Sequence, residues 1–211
     1  MKKRDSNITG IILAAGKSSR MGKIKQLLPF RGNSILGHVI NNCLKSSLRQ
    51  IIVVLGYRAR QIQQAVNFHG VKVVVNKDCC QGLSSSLRVG LSYISDSCDG
   101  VLFVLGDQPL VDESVIDALI KGFYESHAPI IVPYYRGKRG NPVFIGRSLF
   151  HQLEMNLKAD MGARPLLKKF NKQIKEINIM KASVNFDVDT IDDYNKLLSF
   201  ENAGSSDNLL V

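Results

Sequence analysis

The chain has 211 residues, a formal net charge of +10 and a pI near 9.5. Hydrophobic residues make up 45% of the sequence and charged residues 22%, as in ordinary soluble globular proteins. No apolar run approaches the roughly 20 residues that span a bilayer, and no apolar segment of the signal-peptide kind follows the basic N-terminus. We therefore expect a cytoplasmic protein without membrane attachment.

The excess of positive charge favours anionic partners: nucleotides, phosphorylated metabolites, nucleic acid or acidic lipid. The Lys and Arg residues are scattered, without a long basic tract and with little aromatic interleaving. This pattern favours a solvated basic surface over a dedicated face for nucleic acid, so we expect no nucleic-acid partner. The four cysteines contain no Cys-x-x-Cys pair, which predicts reduced thiols rather than a zinc site.

Short, almost wholly apolar runs alternate with longer stretches that carry apolar residues at helical spacing. The predicted strands are 8–13, 51–55, 71–75, 101–105, 130–132, 142–145 and 174–179. The predicted helices are 35–44, 59–68, 84–94, 113–123, 147–156, 164–170 and 191–200. This alternation predicts an α/β fold with three layers, in which a mostly parallel sheet lies between helices on both faces. We expect a single domain over residues 1–200 and a flexible tail over residues 201–211.

The first predicted strand ends in a loop of small residues, and the sequence over residues 11–22 is IILAAGKSSRMG. Gly16-Lys17-Ser18 is similar to part of a Walker A loop, but Gly10 lies one residue too far away and strand-like residues separate the two. The dinucleotide fingerprint GxGxxG is absent. An ordinary strand-to-helix turn would also use such glycines.

A loop with so little side-chain bulk lets its backbone approach a flat or anionic ligand. Successive backbone N–H groups can hold a phosphate, and Arg20 and Lys25 add positive charge beside them. Ligands of open parallel sheets bind beyond the carboxyl ends of the strands, which is where this loop and the motifs below are expected to lie.

The loop, together with KQLLP over residues 25–29, resembles the signature of Rossmann-like nucleotidyltransferases, and among them the molybdenum cofactor cytidylyltransferases. The resemblance implies that the chain transfers CMP from CTP to the phosphate of molybdopterin and releases pyrophosphate. It implies a Rossmann-like nucleotidyltransferase fold, with CTP and molybdopterin as substrates and a molybdenum hydroxylase or its insertion chaperone as a partner. Arg20, Lys25 and Asp107 are the implied catalytic residues.

A second motif, QGLSSSLRVGL over residues 81–91, puts a glycine and three serines at a predicted helix start. Such serines commonly cap the helix, and a helix N-terminus also attracts anions. The stretch resembles a family motif in which Gly82 and Ser86 match positions near the base and ribose. The nucleotide-binding residues implied in total are Leu13, Ala14, Ala15, Gly16, Arg20, Lys25, Gly82, Ser86 and Asp107.

Carboxylates follow two further predicted elements. Asp107 ends a buried strand in the sequence Gly-Asp-Gln-Pro, whereas Asp112 is better placed to cap the next helix. A carboxylate that faces a triphosphate is repelled unless a cation lies between them, so we expect Asp107 to bind Mg²⁺. Asp187 and Asp189 lie at alternate positions of an extended segment and so on one face. The resemblance implies Asp187 as the second metal ligand; Asp189 could be that ligand instead, or a cap.

The implied acceptor-binding residues fall in two segments. Arg139 and Asn141 belong to an Arg-Gly-Asn-Pro sequence that the family shares, and Asp160 and Arg164 belong to the end of its G-D-x-G-A-R motif, whose first glycine is Ala159 here. Alternatives are a nucleotidyltransferase with another base or acceptor, such as GMP to molybdopterin or a sugar phosphate, or a non-catalytic nucleotide-binding module serving a molybdenum hydroxylase.

Overall fold

An eight-stranded, mostly parallel sheet forms the centre of the computed structural model, which describes residues 6–158 and 160–202. In chain order the strands of the described residues are β1 (Ile8–Ala14), β2 (Pro29–Phe30), β3 (Asn33–Ser34), β4 (Gln50–Leu55), β5 (Lys72–Val75), β6 (Gly100–Leu105), β7 (Ile130–Tyr135), β8 (Lys138–Arg139), β9 (Val143–Gly146) and β10 (Ile174–Asn178). β2 and β3 form a separate small hairpin.

The main sheet has the order β10-β7-β9-β6-β1-β4-β5, and β8 pairs with β7. β1 lies parallel to β4 and β6, β4 is parallel to β5, and β7 is parallel to β10. β9 runs antiparallel between β6 and β7. Because they run in the same direction, β1, β4, β5 and β6 end at one edge of the sheet, as the sequence predicts.

Seven α-helices of the described residues surround this sheet: α1 (Ile35–Lys45), α2 (Ala59–Ala65), α3 (Leu83–Leu91), α4 (Glu113–Ser126), α5 (Phe150–Asn156), α6 (Arg164–Lys169) and α7 (Ile191–Asn202). α1, α2 and α4 pack on one face, where Ile40 and Leu119 are buried. α3, α5 and α6 pack on the other, where Leu87 and Leu153 are buried. The predicted three-layer α/β/α arrangement is confirmed. None of the described helices is long and apolar enough to cross a bilayer.

A third, smaller apolar cluster joins α7 to the loop that follows β1. It contains Met21, Phe30, Ile35, Val188 and Leu197. Because Val188 is completely buried in this cluster, the residues on either side of it are brought to the edge of the sheet where β1 and β6 end. A chain segment near residue 188 thereby meets loops that precede it by more than a hundred residues.

Several predicted boundaries differ from the observed ones. The helix predicted over 59–68 ends at Ala65, because Val66 is extended and enters the core from a non-helical segment. The strand predicted over 130–132 continues to Tyr135, where it pairs with β8 and β10. The helix predicted from 147 begins with a 3₁₀ turn, and α7 covers the first two positions of the predicted tail. Residues 203–211 lie outside the described part.

α3 packs closely against the sheet because Gly90 has no side chain. A Cβ atom placed on Gly90 would lie 2.6 Å from Ile11 Cγ2 and 3.3 Å from Val54 Cγ2. Both partners are buried branched side chains of central strands, so they have little space into which to move. This contact sets how near the C-terminal end of α3 lies to β1 and β4.

We predict that Gly90→Val lowers the free energy of unfolding by about 2–3 kcal/mol, because the added carbons overpack the interface with β1. Gly16→Val is the matched control, because nothing lies within 4 Å of a Cβ atom at Gly16. The control should stay within about 0.5 kcal/mol of wild type. Urea unfolding at equilibrium measures both values, and equal losses in the two variants would contradict the packing argument.

Candidate functional site

A cavity of about 750 Å³ opens at the edge of the sheet where β1, β5 and β6 end. Its wall is formed by the loop after β1, the turn before α3, the end of β6 and the segment before α7. Of the residues singled out from the sequence, it includes Leu13, Ala15, Gly16, Arg20, Lys25, Gly82, Ser86, Asp107, Asp160, Arg164 and Asp187. Ala14 lies beneath this wall and is buried.

Lys25 lies at the centre of an ion-pair network. Its Nζ atom contacts Asp107 Oδ2 and lies 2.9 Å from Asp189 Oδ1. Arg20 Nη2 lies 2.8 Å from Asp189 Oδ2, so one carboxylate bridges two cations. Burial alone would lower the pKa of Lys25, but the two aspartates outweigh it and hold the pKa above its ordinary value. Lys25 is therefore a cation at neutral pH, and it joins three segments that are distant in sequence.

Asp107 and Asp187 carry more negative charge than these cations neutralise. Asp107 Oδ1 is buried and has no hydrogen-bond partner within the described part of the chain. Burial raises the pKa of Asp187, and the negative charges of Asp107 and Asp189 raise it further. The main-chain carbonyl of Asp107 also accepts a hydrogen bond from the N–H of Val188 at 3.1 Å, which ties the two carboxylate-bearing segments together. An added cation at this point would relieve both the repulsion and the unpaired oxygen.

Carboxylate oxygens are the ligands that hard divalent cations prefer. The described residues contain no group of three or more His, Cys, Asp or Glu side chains arranged to hold a metal ion. Asp107 and Asp187 would therefore supply two ligands, leaving the other positions to water and to the oxygens of a bound phosphate, as is usual for ions of the Mg²⁺ type. With two carboxylate ligands from the protein and the remaining ligands from water and phosphate, the residues fit a divalent cation.

Gln26 shapes the loop after β1, and the sequence analysis assigned it no role. It is 2% exposed, and its Nε2 atom donates to the carbonyls of Ala14 at 3.2 Å and Gly16 at 3.4 Å. Ser18, in the left-handed region with φ of 53°, donates to Gln26 Oε1 at 3.4 Å. The carbonyls of the loop thus face Gln26. In the sequence, a polar residue directly before the apolar pair Leu27-Leu28 is the feature that could have indicated this role.

A buried polar network holds the turn before α3, and Asn76 is the member that the sequence analysis missed. Asn76 Nδ2 donates to Ser85 Oγ at 2.8 Å and Ser86 Oγ at 3.0 Å. Ser85 Oγ donates to the carbonyls of Asp78 and Gly82. Gly82, at φ of 92°, occupies a region that favours glycine. These bonds fix the positions of Gly82 and Ser86 in the cavity wall.

The predicted acceptor-binding residues separate into two places. Asp160 and Arg164 line the cavity, and Asp160 Oδ1 accepts a hydrogen bond from the Leu83 N–H at 2.9 Å, at the start of α3. Arg139 and Asn141 are not among the residues lining the cavity. The Arg139 guanidinium instead lies 2.6 Å from Glu176 Oε1 and 2.6 Å from Asn171 Oδ1. Residue 159 lies outside the described part of the chain.

Helix caps account for three further polar residues. Asp112 accepts from the N–H groups of Ser114 and Val115, which confirms its predicted capping of α4. At α7, Asp193 Oδ2 accepts from the N–H of Thr190 at 2.9 Å, and Thr190 Oγ1 accepts from the N–H of Asp193 at 3.2 Å. This is a reciprocal capping box, so capping of α7 does not require the carboxylate of Asp189.

The family of the chain follows from a match that covers most of its length. Residues 10–176 match the MobA-like NTP transferase domain. The chain belongs to this family of nucleotidyltransferases. The matched segment contains the β1 loop, Lys25, the turn before α3 and Asp107, and ends before Asp187 and Asp189.

Two relatives of this MobA-like chain match it over nearly their full lengths. The nicotine blue oxidoreductase of Paenarthrobacter nicotinovorans is 28% identical over 201 residues, which is 90% of this chain and 96% of that protein. The molybdenum cofactor cytidylyltransferase of Escherichia coli (strain K12) is 29% identical over 191 residues, which is 90% of this chain and 94% of that protein.

Two solved structures of similar proteins share the fold. A homologue of Mycobacterium tuberculosis Rv0371c from Mycobacterium sp. strain JC1 has a TM-score of 0.84 and 34% identity, covering 93% of this chain and 98% of its own. Rv0371c from M. tuberculosis H37Rv, crystallised in complex with manganese, has a TM-score of 0.78 and 33% identity, covering 91% of this chain and 98% of its own. A relative of this MobA-like chain thus binds a divalent metal ion.

We predict that Asp107→Asn weakens Mn²⁺ binding in the presence of a nucleoside triphosphate at least about tenfold, or ~1.4 kcal/mol. The substitution keeps the shape of the side chain but removes the charge that a hard cation needs. Titration of Mn²⁺ followed by electron paramagnetic resonance measures the affinity.

Asp189→Asn is the matched control for this measurement, because the Asp189 carboxylate is occupied by Lys25 and Arg20. It should keep its Mn²⁺ affinity within about threefold of wild type, less than ~1 kcal/mol. A loss in Asp189→Asn as large as that in Asp107→Asn would make Asp189 a metal ligand and contradict this division of roles.

Proposed function

We propose that the protein is a molybdenum cofactor cytidylyltransferase, which transfers CMP from CTP to the phosphate of molybdopterin. One observation carries the proposal: a cation pair, Arg20 and Lys25, faces a carboxylate pair, Asp107 and Asp187, within one cavity of a MobA-like nucleotidyltransferase. The near-full-length similarity to the E. coli molybdenum cofactor cytidylyltransferase supports the choice of substrates. The enzyme acts in the cytoplasm and passes its product to a molybdenum hydroxylase or its insertion chaperone.

The reaction is an in-line displacement at the α-phosphorus of CTP. An oxygen of the acceptor phosphate forms the new P–O bond, while the bond to pyrophosphate breaks and its electron pair leaves with pyrophosphate. A phosphate monoester has a second pKa near 6, so the nucleophile is already anionic at pH 7 and needs no general base. No histidine lines the cavity in the part of the chain that the structure describes. The protein's own task is therefore to position the two phosphates and to balance charge.

Lys25 and Arg20 stabilise the charge that accumulates on the leaving pyrophosphate. Both are paired with Asp189, which holds them in position for the triphosphate. Phosphate oxygens bind the two cations alongside the Asp189 carboxylate, which keeps Lys25 and Arg20 in position. Mg²⁺ held by Asp107 and Asp187 would supply further positive charge to the triphosphate when bound.

The acceptor is assigned to the rim of the cavity that carries the exposed Arg164. Its guanidinium suits a phosphate, because planar N–H donors match phosphate oxygens. Asp160 helps indirectly, because its bond to the Leu83 N–H holds this rim against α3. An acceptor role for Arg139 requires that the acceptor displace Glu176 or Asn171 from its guanidinium.

The proposal is tested by incubating the protein and Mg²⁺ with CTP, GTP, ATP or UTP, each alone, with molybdopterin or with a sugar phosphate, and measuring pyrophosphate. We expect release only with CTP and molybdopterin together. Release with GTP or with a sugar phosphate would replace the proposed base or acceptor. Binding of CTP without release under any condition would favour a nucleotide-binding accessory module.

The choice of base is predicted to depend on Ala15. This residue lines the cavity and is 6% exposed, and a Cβ atom placed on Gly56 would lie 2.8 Å from its methyl carbon, so the wall is closely packed here. A purine needs more room beside this wall than a pyrimidine. Ala15→Gly should therefore narrow the preference for CTP over GTP by roughly 1–3 kcal/mol, the usual worth of a methylene-sized difference in a pocket.

The quantity to compare is kcat/KM for CTP and GTP, in wild type and Ala15→Gly, at one Mg²⁺ concentration. Leu87→Ala is the control for a general loss of packing. Leu87 belongs to α3, but its side chain is buried in the core and does not line the cavity. The control should lower stability without changing the ratio between the nucleotides. If Ala15→Gly leaves the ratio of kcat/KM for CTP to kcat/KM for GTP unchanged, the base is selected by another part of the cavity wall.

A further inference from the structure

Two adjacent cysteines form part of the nucleotide cavity, and nothing in the transferase mechanism uses them. Cys79 and Cys80 line the cavity beside Gly82 and Ser86. They lie in a 3₁₀ turn, Cys79–Gln81, which leads directly into α3. Both residues therefore belong to the wall of the cavity to which the nucleotide is assigned under the proposed function.

The two thiols differ in accessibility. Cys79 is partly buried, and a Cβ atom placed on Gly56 would lie 2.6 Å from Cys79 Cβ, so this side chain is wedged against the end of β4. Burial raises the pKa of Cys79, and the neighbouring Cys80 raises it further. Cys80 is exposed. Of the pair, Cys80 is the thiol that a reagent in solution reaches.

The other cysteines provide an internal contrast. Cys43 and Cys98 are each 1% exposed, and burial raises the pKa of the Cys43 thiol to about 12. Neither lines the cavity. Because the thiolate is the nucleophile in disulfide exchange, a buried thiol of high pKa reacts slowly.

The backbone that carries the thiol pair is tied down on both sides. The N–H of Asp78 donates to Asn76 Oδ1 at 2.9 Å, and the N–H of Gln81 donates to the carbonyl of Asp78 at 2.9 Å. Asn76 in turn donates to Ser85 and Ser86 at the start of α3. A group attached to Cys80 cannot be cleared from the cavity by a small movement of this turn, because such a movement would break the buried network.

We propose that Cys80 is a site of reversible modification by low-molecular-weight disulfides, and that the attached group blocks the nucleotide cavity. The Cys80 thiolate attacks one sulfur of the disulfide and forms a mixed disulfide, while the second sulfur leaves as a thiolate with the electron pair of the broken S–S bond. The proton lost from Cys80 passes to solvent or to the leaving thiolate. The protein sulfur is oxidised and the leaving thiol is reduced, so the step balances.

The adjacent thiol does not readily displace the attached group. Consecutive Cα atoms are about 3.8 Å apart across a trans peptide, whereas disulfide-linked residues usually lie about 4.4–6.8 Å apart. A Cys79–Cys80 disulfide would thus be strained, and the mixed disulfide persists until an external thiol removes it.

The test is to incubate the full chain with glutathione disulfide, map the modified cysteine by peptide mass spectrometry, and measure nucleotide affinity before and after. We expect a single mixed disulfide on Cys80, no modification of Cys43 or Cys98, and at least a tenfold loss of affinity that dithiothreitol reverses. Each of the four nucleoside triphosphates is also added before the reagent, and those that bind should slow modification at least tenfold.

Two variants distinguish modification of Cys80 from modification of Cys79. The nucleotide affinity of each treated variant is compared with that of the same variant before treatment. Cys80→Ser should show no change of nucleotide affinity on treatment, whereas Cys79→Ser should remain sensitive. Modification confined to Cys79, Cys43 or Cys98, or a modified Cys80 with unchanged nucleotide affinity, would overturn the proposal. Protection by GTP rather than CTP would overturn the proposed cytidylyl specificity but support the thiol site.

Discussion

The site depends on one shared cation. Lys25 follows the β1 loop, Asp107 lies in the turn after β6, and Asp189 precedes α7. The Lys25 ammonium group contacts both carboxylates. Its side chain is only 13% exposed, so the charge is largely removed from water and relies on these partners. Removing one partner of such a network is costly because the remaining charge is left buried and unpaired. The three segments therefore hold one another in position.

The same network sets the charge balance of the cavity, which a nucleotide and its metal ion must complement. Asp189 pairs with both Arg20 and Lys25, and Lys25 also contacts Asp107, so the three carboxylates Asp107, Asp187 and Asp189 carry one negative charge more than these two cations. A triphosphate alone would add repulsion to these carboxylates. When a triphosphate binds together with a divalent cation, its oxygens pair with the basic side chains. The metal ion binds the carboxylates, so both sets of charges are compensated. Nucleotide and metal binding should therefore be coupled.

The sequence predicted the features that depend on neighbouring residues. Apolar runs located seven of the eight strands of the main sheet, all but the short polar β8, and hence the edge where the cavity lies. Asp112 was identified as a cap from its distance to α4. Features made by distant residues were missed. Asn76 gains its role from serines in α3, and Gln26 gains its role from carbonyls of β1's loop. The pairing of Arg139 with Glu176 arises because β8 and β10 both lie beside β7, which no local pattern reveals.

The floor of the cavity is made by residues with no side chain or only a methyl group, Gly56, Gly106, Ala14 and Ala15. A Cβ atom on Gly106 would lie 2.9 Å from that of Ala14, and one on Gly56 would lie 2.8 Å from that of Ala15. The N–H of Gly106 also donates to the carbonyl of Leu13 at 3.0 Å, so β1 and β6 remain paired up to the cavity. Three neighbouring strands thus end in small residues that pack backbone against backbone, which leaves a rigid floor. Charged side chains at the rim can form new ion pairs with a ligand. The floor is too closely packed to move. Under the proposed function, substitutions in the floor should change which base fits, and substitutions at the rim should change how fast the phosphate reacts.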